Sequence, residues 1–233
     1  MRTVPPYENS GALRFVSQPI RIALVDDQAL VRSGFRMIIE AEEDLKIVGE
    51  ASDGRGAIAL LEEGPIDVML MDIRMPGSDG LETTKQIVDA GWPVRIIMLT
   101  TFDLDEYVFQ ALRAGASGFL LKDARATELI DAIHAVASGD AIIAPSATCR
   151  LMSQLMVDPV PVQADPRLET LTDREREVFL AIANGMTNAE IAEQLHVAEG
   201  TVKAHVSHLL QKLERRDRVS LVMLAYDAGL VRR

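Results

Sequence analysis

The sequence predicts an α/β chain in two parts: a doubly wound, five-stranded parallel sheet followed by an all-α domain. Three observations predict it. Strand-sized apolar runs alternate with helix-period segments five times between residues 20 and 140. The runs are apolar throughout, not at every second position, as strands buried on both faces require. Beyond residue 166 every patterned segment has helical spacing.

The first unit joins RIALVDD (21–27) to ALVRSGFRMIIEAE (29–42), whose apolar positions recur at helical intervals. LKIVGEA (45–51) leads to GRGAIALLEEG (54–64), and VMLMD (68–72) to LETTKQIVDAG (81–91), each helix closed by a glycine. VRIIMLT (94–100) leads to DEYVFQALRAGA (105–116), and GFLLKD (118–123) to ATELIDAIHAVASG (126–139). Right-handed crossovers then place helices on both faces of the sheet. From 140 to 166 prolines stand at 145, 159, 161 and 166. LMSQLM (151–156) suits a short helix, but VDPVPVQADP (157–166) cannot sustain one and reads as linker. Four helices follow: REREVFLAIANG (174–185), NAEIAEQL (188–195), TVKAHVSHLLQKLE (201–214) and RVSLVMLAYDAG (218–229). No internal repeat and no Rossmann or P-loop glycine signature occurs. The expected division is a loose leader over 1–18, a sheet domain over 19–140, a linker over 141–166 and a helical domain over 167–233.

Hydrophobic residues make up 48% of the 233, enough for two cores. No apolar run is long enough to span a bilayer, and the first eighteen residues lack the apolar stretch of a signal peptide. The single cysteine, Cys149, excludes an internal disulfide framework. The simplest expectation is a cytoplasmic protein with no membrane partner. The net charge of −11 falls entirely on the first 165 residues, because the last 68 carry ten basic and ten acidic residues. Within that neutral tail, KLERRDR (212–218) is locally basic. Such a split suggests two domains with different partners.

Ligands of an open parallel sheet bind where the strands end and the loops diverge. The first run closes on Asp26-Asp27, the third on Asp72, the fourth on Thr100 and the fifth on Lys122. Each has an ordinary reading alone: a turn cap, a helix N-cap, a β-former or a surface charge. Their joint occurrence at four strand ends favours one site. Converging carboxylates repel unless a positive charge is present, and a partly hydrated Mg²⁺ with oxygen ligands is the simplest remedy. Thr100 and Lys122 are then placed to hold phosphoryl oxygens, with Asp72 as the nucleophile.

These residues, within LVDD (24–27), MDIRMPGSDG (71–80), LTT (99–101) and GASGFLLK (115–122), resemble the receiver domain of bacterial two-component response regulators, a flavodoxin-like fold. The resemblance implies that Asp72 accepts a phosphoryl group from a sensor histidine kinase. It implies Mg²⁺ held by Asp27, Asp72 and the backbone carbonyl of Arg74, with Asp26 assisting through water. Thr100 would bind a phosphoryl oxygen, Lys122 would pair with the phosphoryl group, and Phe119 matches an aromatic switch that swings inward on activation. Asp123 stands where many receivers have proline, leaving the geometry of the Lys122–Asp123 peptide open.

In the tail, Thr172 with Glu175 and Thr187 with Glu190 each form the pattern of a helix capping box. NAEIAEQL, HVAEG and the helix from Thr201 have helix-turn-helix proportions, a spacing that ordinary helical bundles share. Val202, Val206, Leu209, Leu210 and Leu213 share one face and should be buried. Lys203, Ala204, Ser207 and Gln211 share another, with short side chains and donors suited to base edges, and His205 and Lys212 flank it. The combination LTDREREV, GMTNAEIAEQL and EGTVKAHVSHLLQKL resembles the LuxR-type DNA-binding domain of the NarL/FixJ class. The resemblance implies base contacts from Lys203, Ala204 and Ser207, backbone contacts from Thr201, His205 and Lys212, and pairing of two domains through the last helix. Ala198 replaces a frequent serine, so weak capping of the recognition helix is expected.

The implied protein is a transcription regulator rather than an enzyme. Its partners would be a sensor histidine kinase, double-stranded DNA with a two-fold operator, a second copy on phosphorylation, and RNA polymerase. A receiver serving only as an interaction platform, an aspartate-nucleophile phosphatase and a small-molecule sensor are the alternatives. Arg74 stands where a haloacid-dehalogenase-type phosphatase needs a second aspartate.

Overall fold

The computed structural model describes residues 18–101, 110–138 and 165–230. The predicted sheet is present, with strands β1 (Ile20–Val25), β2 (Leu45–Ala51), β3 (Val68–Asp72), β6 (Arg95–Thr100) and β7 (Gly118–Leu121). All pair in parallel in the order β2-β1-β3-β6-β7, so β3 is central and its last residue is Asp72. The uniformly apolar runs serve two cores. Met69 and Met71 of β3 join Val25, Met98, Ala57 and Ile87 on one face. Val68 and Leu70 join Ile22, Leu99, Phe35 and Ile133 on the other. Helices α2 (Gly54–Glu63) and α3 (Gly80–Asp89) cover the first face, together with the helical residues 110–113 (α4). Helices α1 (Ala29–Ile39) and α5 (Ala126–Ser138) cover the second.

Several boundaries differ from the sequence expectation. β1 ends at Val25, leaving Asp26 and Asp27 in the turn, and α1 stops at Ile39 instead of running on to 42. A two-residue antiparallel ladder, β4 (Arg74–Met75) with β5 (Ser78–Asp79), folds back through Gly77, whose φ of 72° suits glycine. The Lys122–Asp123 peptide is trans, like every peptide among the described residues. The start of the fourth predicted helix, the helix LMSQLM, the leader to residue 17 and the linker from 141 to 164 lie outside the described residues.

A 3-10 turn (Pro166–Thr170), capped by Asp165, opens the helical domain. Helices α6 (Asp173–Ala183), α7 (Asn188–Leu195), α8 (Glu199–Lys212) and α9 (Arg218–Asp227) follow. Both predicted capping boxes form, Thr172 with Glu175 and Thr187 with Glu190, and Asp217 with Ser220 adds a third at α9. Ala198 caps α8 without a side-chain bond. That helix starts two residues before Thr201, because the Ala198 carbonyl accepts from the amides of Thr201 and Val202. Val202, Val206, Leu209 and Leu213 are buried as expected, and Leu210 is half-buried. Arg218 is buried and donates to Asn188 Oδ1 at 3.0 Å and to the Met186 carbonyl, tying α9 to the start of α7.

Glu175 does double service, since its carboxylate also accepts from Lys212 Nζ at 2.7 Å. The Lys212 ammonium and the Thr172 backbone N–H hold its pKa down at about 2. A carboxyl depressed in the folded state contributes stability above its unfolded value and loses it as pH falls. Wild type should therefore melt above Lys212→Met near neutrality, with the gap closing as pH drops from about 4.5 to about 2. Melting curves followed by circular dichroism check this, and a gap independent of pH would contradict it.

The two domains touch at one edge. Ser117 Oγ, buried just before β7, donates to Asp217 Oδ2 at 2.7 Å. Arg216 Nη2 donates to Ser117 Oγ at 3.2 Å and to the Gly115 carbonyl. Beside this contact lies a cleft of about 440 Å³, with Val88, Leu112 and Ala116 on one wall and Val219, Met223 and Leu224 of α9 on the other.

Candidate functional site

The parallel register brings the predicted residues to one edge of the sheet. Asp72 stands at the end of β3 opposite Leu99, next to Thr100 at the end of β6. Lys122 follows β7, and its backbone N–H donates to the Thr100 carbonyl at 2.7 Å. Asp26 and Asp27 lie in the turn after β1, the other neighbour of β3. Carboxylate oxygens of Asp26, Asp27 and Asp72 all lie within 4.8 Å of one another. Asp26, Asp72 and Thr100 are buried, and Asp27 is half-buried.

The Lys122 ammonium lies 2.6 Å from Asp26 Oδ2 and 2.9 Å from Asp72 Oδ2. Burial pushes the Asp72 carboxyl above the usual carboxylate range, against the pull of the Lys122 ammonium, and the Asp26 charge adds to the rise. Burial works against the Lys122 charge as well, yet Asp26 and Asp72 together hold its pKa above that of an ordinary lysine. One lysine thus links two carboxylates whose mutual repulsion it only partly offsets.

Asp27 Oδ1 is buried with no hydrogen-bond partner, and Asp26 Oδ2 has the ion contact to Lys122 but no aligned hydrogen bond. Such orphaned oxygens fit a divalent cation. Three carboxylates with no sulfur or imidazole among them fit a hard one, Mg²⁺. The backbone N–H of Arg74 bonds to Asp72, while its side chain is exposed. Phe119 is buried, 6% exposed, and pairs across the ladder with Met98.

Sequence reasoning passed over Gly80. A Cβ built there would lie 2.0 Å from the Asp72 carbonyl oxygen, so α3 can start against the Asp72 backbone only through glycine. It also passed over Ser117, whose partner Asp217 lies 100 residues away with no local signal.

In the helical domain, Thr201, Lys203, Ala204, Ser207 and Gln211 are exposed on α8, and His205 is half-buried beside them. Lys203 Nζ is 3.3 Å from Glu199 Oε1, and Ser207 Oγ donates to the Lys203 carbonyl at 3.0 Å. Both contacts are within the helix and leave its outer face open. Lys212 differs: it is engaged by Glu175, so a phosphate contact would compete with that ion pair.

Residues 22–134 match the model of the response regulator receiver domain, and residues 169–225 that of the bacterial regulatory proteins of the luxR family. Over 212 residues the chain is 46% identical to the uncharacterized transcriptional regulatory protein YxjL of Bacillus subtilis (strain 168), covering 91% of this chain and 97% of that one. It is 40% identical to the transcriptional regulatory protein LiaR of the same organism, with 91% and 99% covered. The crystal structure of the response regulator ChrA of a heme-sensing two-component system superposes with a TM-score of 0.50 at 34% identity, over 92% of this chain and 100% of that one. The chain belongs to the two-component transcriptional response regulators of the NarL class, which join a receiver domain to a LuxR-type DNA-binding domain.

Proposed function

We propose that this regulator is controlled by phosphorylation at Asp72. The observation that carries the reading is the contact of Asp72 with Lys122 at 2.9 Å, inside a cluster of carboxylates with unpartnered oxygens. An Asp72 oxygen attacks the phosphorus of a phosphohistidine on a sensor kinase. The P–O bond forms, the P–N bond breaks, and the imidazole nitrogen keeps the electron pair and takes a proton from solvent. Lys122 turns from Asp26 and Asp72 toward the new phosphoryl oxygens, and Thr100 takes another of them. Asp27, Asp72 and the Arg74 carbonyl, with Asp26 assisting, would hold Mg²⁺, which when bound would supply positive charge against the carboxylate and phosphoryl oxygens. Asp72 is a stoichiometric acceptor here, and Arg74 stands where a haloacid-dehalogenase-type phosphatase needs its second aspartate. The site works in the cytoplasm, where kinase and DNA meet it.

Control passes through α9. Every residue of this helix from Arg218 to Ala225 except Ser220 is buried, packed mainly on α6, with further contacts to α8 and, through Arg218, to the start of α7. Another side lies at the receiver cleft and is secured by Ser117, Arg216 and Asp217. The base-reading face of α8 stays exposed, so the resting contact withholds the pairing helix and not the recognition helix. Ser117 is two residues from Phe119 and five from Lys122 along the same strand and its end, which links the phosphoryl site to the contact. Release frees α9 to pair two domains on a two-fold operator, where Lys203, Ala204 and Ser207 read bases and Thr201, His205 and Lys212 meet the backbone. Initiation by RNA polymerase is the step it would regulate.

A hydrogen bond to a charged group contributes about 1.5–3 kcal/mol. Ser117→Ala should therefore strengthen dimerisation of the unphosphorylated protein by about tenfold or more. Sedimentation velocity with and without Mg²⁺ and an acyl phosphate tests the scheme. Dimers formed by wild type only with the phosphodonor, and by Ser117→Ala without it, are expected. Equal monomer fractions under all conditions would contradict control through α9.

A further inference from the structure

The two acids of the β1–α1 turn need something to aim them, and the turn has few internal bonds. Helix α1 begins without a side-chain cap on Gln28 and without an acid in its first turn. Asp27 Oδ1 has no hydrogen-bond partner, so the backbone must fix where that carboxylate points. Three bonds fix this backbone. Asp26 N donates to the Ala51 carbonyl at 3.1 Å, and Gln28 N donates to Asp26 Oδ1 at 2.9 Å. The third and shortest comes from a cation: Arg32 Nη1 donates to the Asp26 carbonyl at 2.6 Å. That carbonyl belongs to the peptide joining Asp26 to Asp27, so any rotation of it swings the Asp27 carboxylate.

Arg32 is itself held. Its Nε donates to Glu50 Oε2 at 3.1 Å, and Glu50 Oε1 accepts from Arg36 Nε at 2.8 Å. Glu50 sits on β2 in register with Leu24 of β1, two residues before Asp26. The Arg32 and Glu50 side chains are 19% and 26% exposed, closed off enough for the pair to keep one geometry. A continuous brace therefore runs from β2 through Glu50 and Arg32 to the peptide that carries both acids.

We propose that Arg32, oriented by Glu50, is a positioning residue for the metal-binding carboxylates. This rests on the reading of Asp26, Asp27 and Asp72 as a Mg²⁺-dependent phosphoacceptor site. Outer partners of metal ligands commonly matter by about 10–100-fold in affinity.

The test is calorimetric titration of Mg²⁺ into the full-length protein, unphosphorylated, as wild type, Arg32→Ala, Glu50→Gln and the double variant, with melting temperatures taken without metal. Arg32→Ala should bind Mg²⁺ about tenfold more weakly or worse. Glu50→Gln should lose less, and the double variant should bind no more weakly than Arg32→Ala, because Glu50 acts through Arg32. A general loss of stability would instead lower melting temperatures and add across the two sites. Wild-type affinity in Arg32→Ala, or losses that add in full, would overturn the proposal. If Arg32→Ala does not fold, Glu50→Gln decides: weakened Mg²⁺ binding at an unchanged melting temperature supports the brace, and wild-type binding overturns it. Absence of Mg²⁺ binding by wild type would sink the phosphoacceptor reading and the brace with it, an outcome distinct from a brace that fails alone.

Discussion

Asp72→Asn protein, incubated with Mg²⁺ and an acyl phosphate, takes up no phosphate that survives denaturation, whereas wild type is labelled stoichiometrically. The amide has nearly the shape of the carboxylate but is not a competent nucleophile, so the loss is complete. Asp26 does not substitute, because its Oδ1 is committed to the Gln28 amide and its Oδ2 to Lys122. The same variant should be no less stable than wild type near neutral pH. Burial raises the Asp72 pKa in the folded state, so ionising it there costs more than in the unfolded chain. That cost is absent below the unfolded carboxylate range, grows as pH rises toward the folded pKa and is constant above it. Asparagine removes it, and thermal melts at neutral pH and at about pH 3, below the ordinary aspartate pKa of about 3.9, should show the variant's advantage shrinking in acid. A variant still labelled, or one unfolded at neutral pH, would contradict this account of Asp72.

Gly80→Ala should have the next largest effect. The new Cβ would lie 2.0 Å from the Asp72 carbonyl oxygen, 3.0 Å from its carbonyl carbon and 3.1 Å from Ile73 Cα. All three are backbone atoms, so no side chain can rotate out of the way. Either α3 backs off or the end of β3 moves, and overpacking of this kind costs about 1–3 kcal/mol. Phosphoryl uptake should fall with it, since the displaced residue is the acceptor itself. Gly77 makes the contrast: it faces open space, and its positive φ alone is strained by a side chain. Gly77→Ala should therefore cost stability without comparable loss of uptake. Chemical denaturation and labelling of both variants, side by side, test the distinction.

How far these features could be read in advance depended on their range along the chain. The sheet was legible because β3 and its neighbours are apolar at every position, and the two cores explain why. Asp26, Asp27, Asp72, Thr100 and Lys122 were legible because strand ends in a parallel sheet converge, and the structure brings all five together. Thr172 and Thr187 announced their helices through a glutamate three residues on, whereas Asp217 pairs with Ser220, outside that pattern. The brace from Glu50 through Arg32, the approach of Gly80 to Asp72 and the contact of Ser117 with Asp217 depend on tertiary neighbours and left no periodic or local signature. Lys212 is a mixed case. Its place beside the recognition face suggested a DNA phosphate, and the ion pair it also makes with Glu175, with which such a contact would compete, left no sign in the sequence.

The central claim, that phosphate on Asp72 governs operator binding, is tested most directly by sequencing the DNA co-precipitated with wild type and with Asp72→Asn under several growth conditions. Two-fold sites occupied by wild type and lost in the variant are the predicted result. Sites held equally by both would contradict it and leave the receiver as an interaction platform.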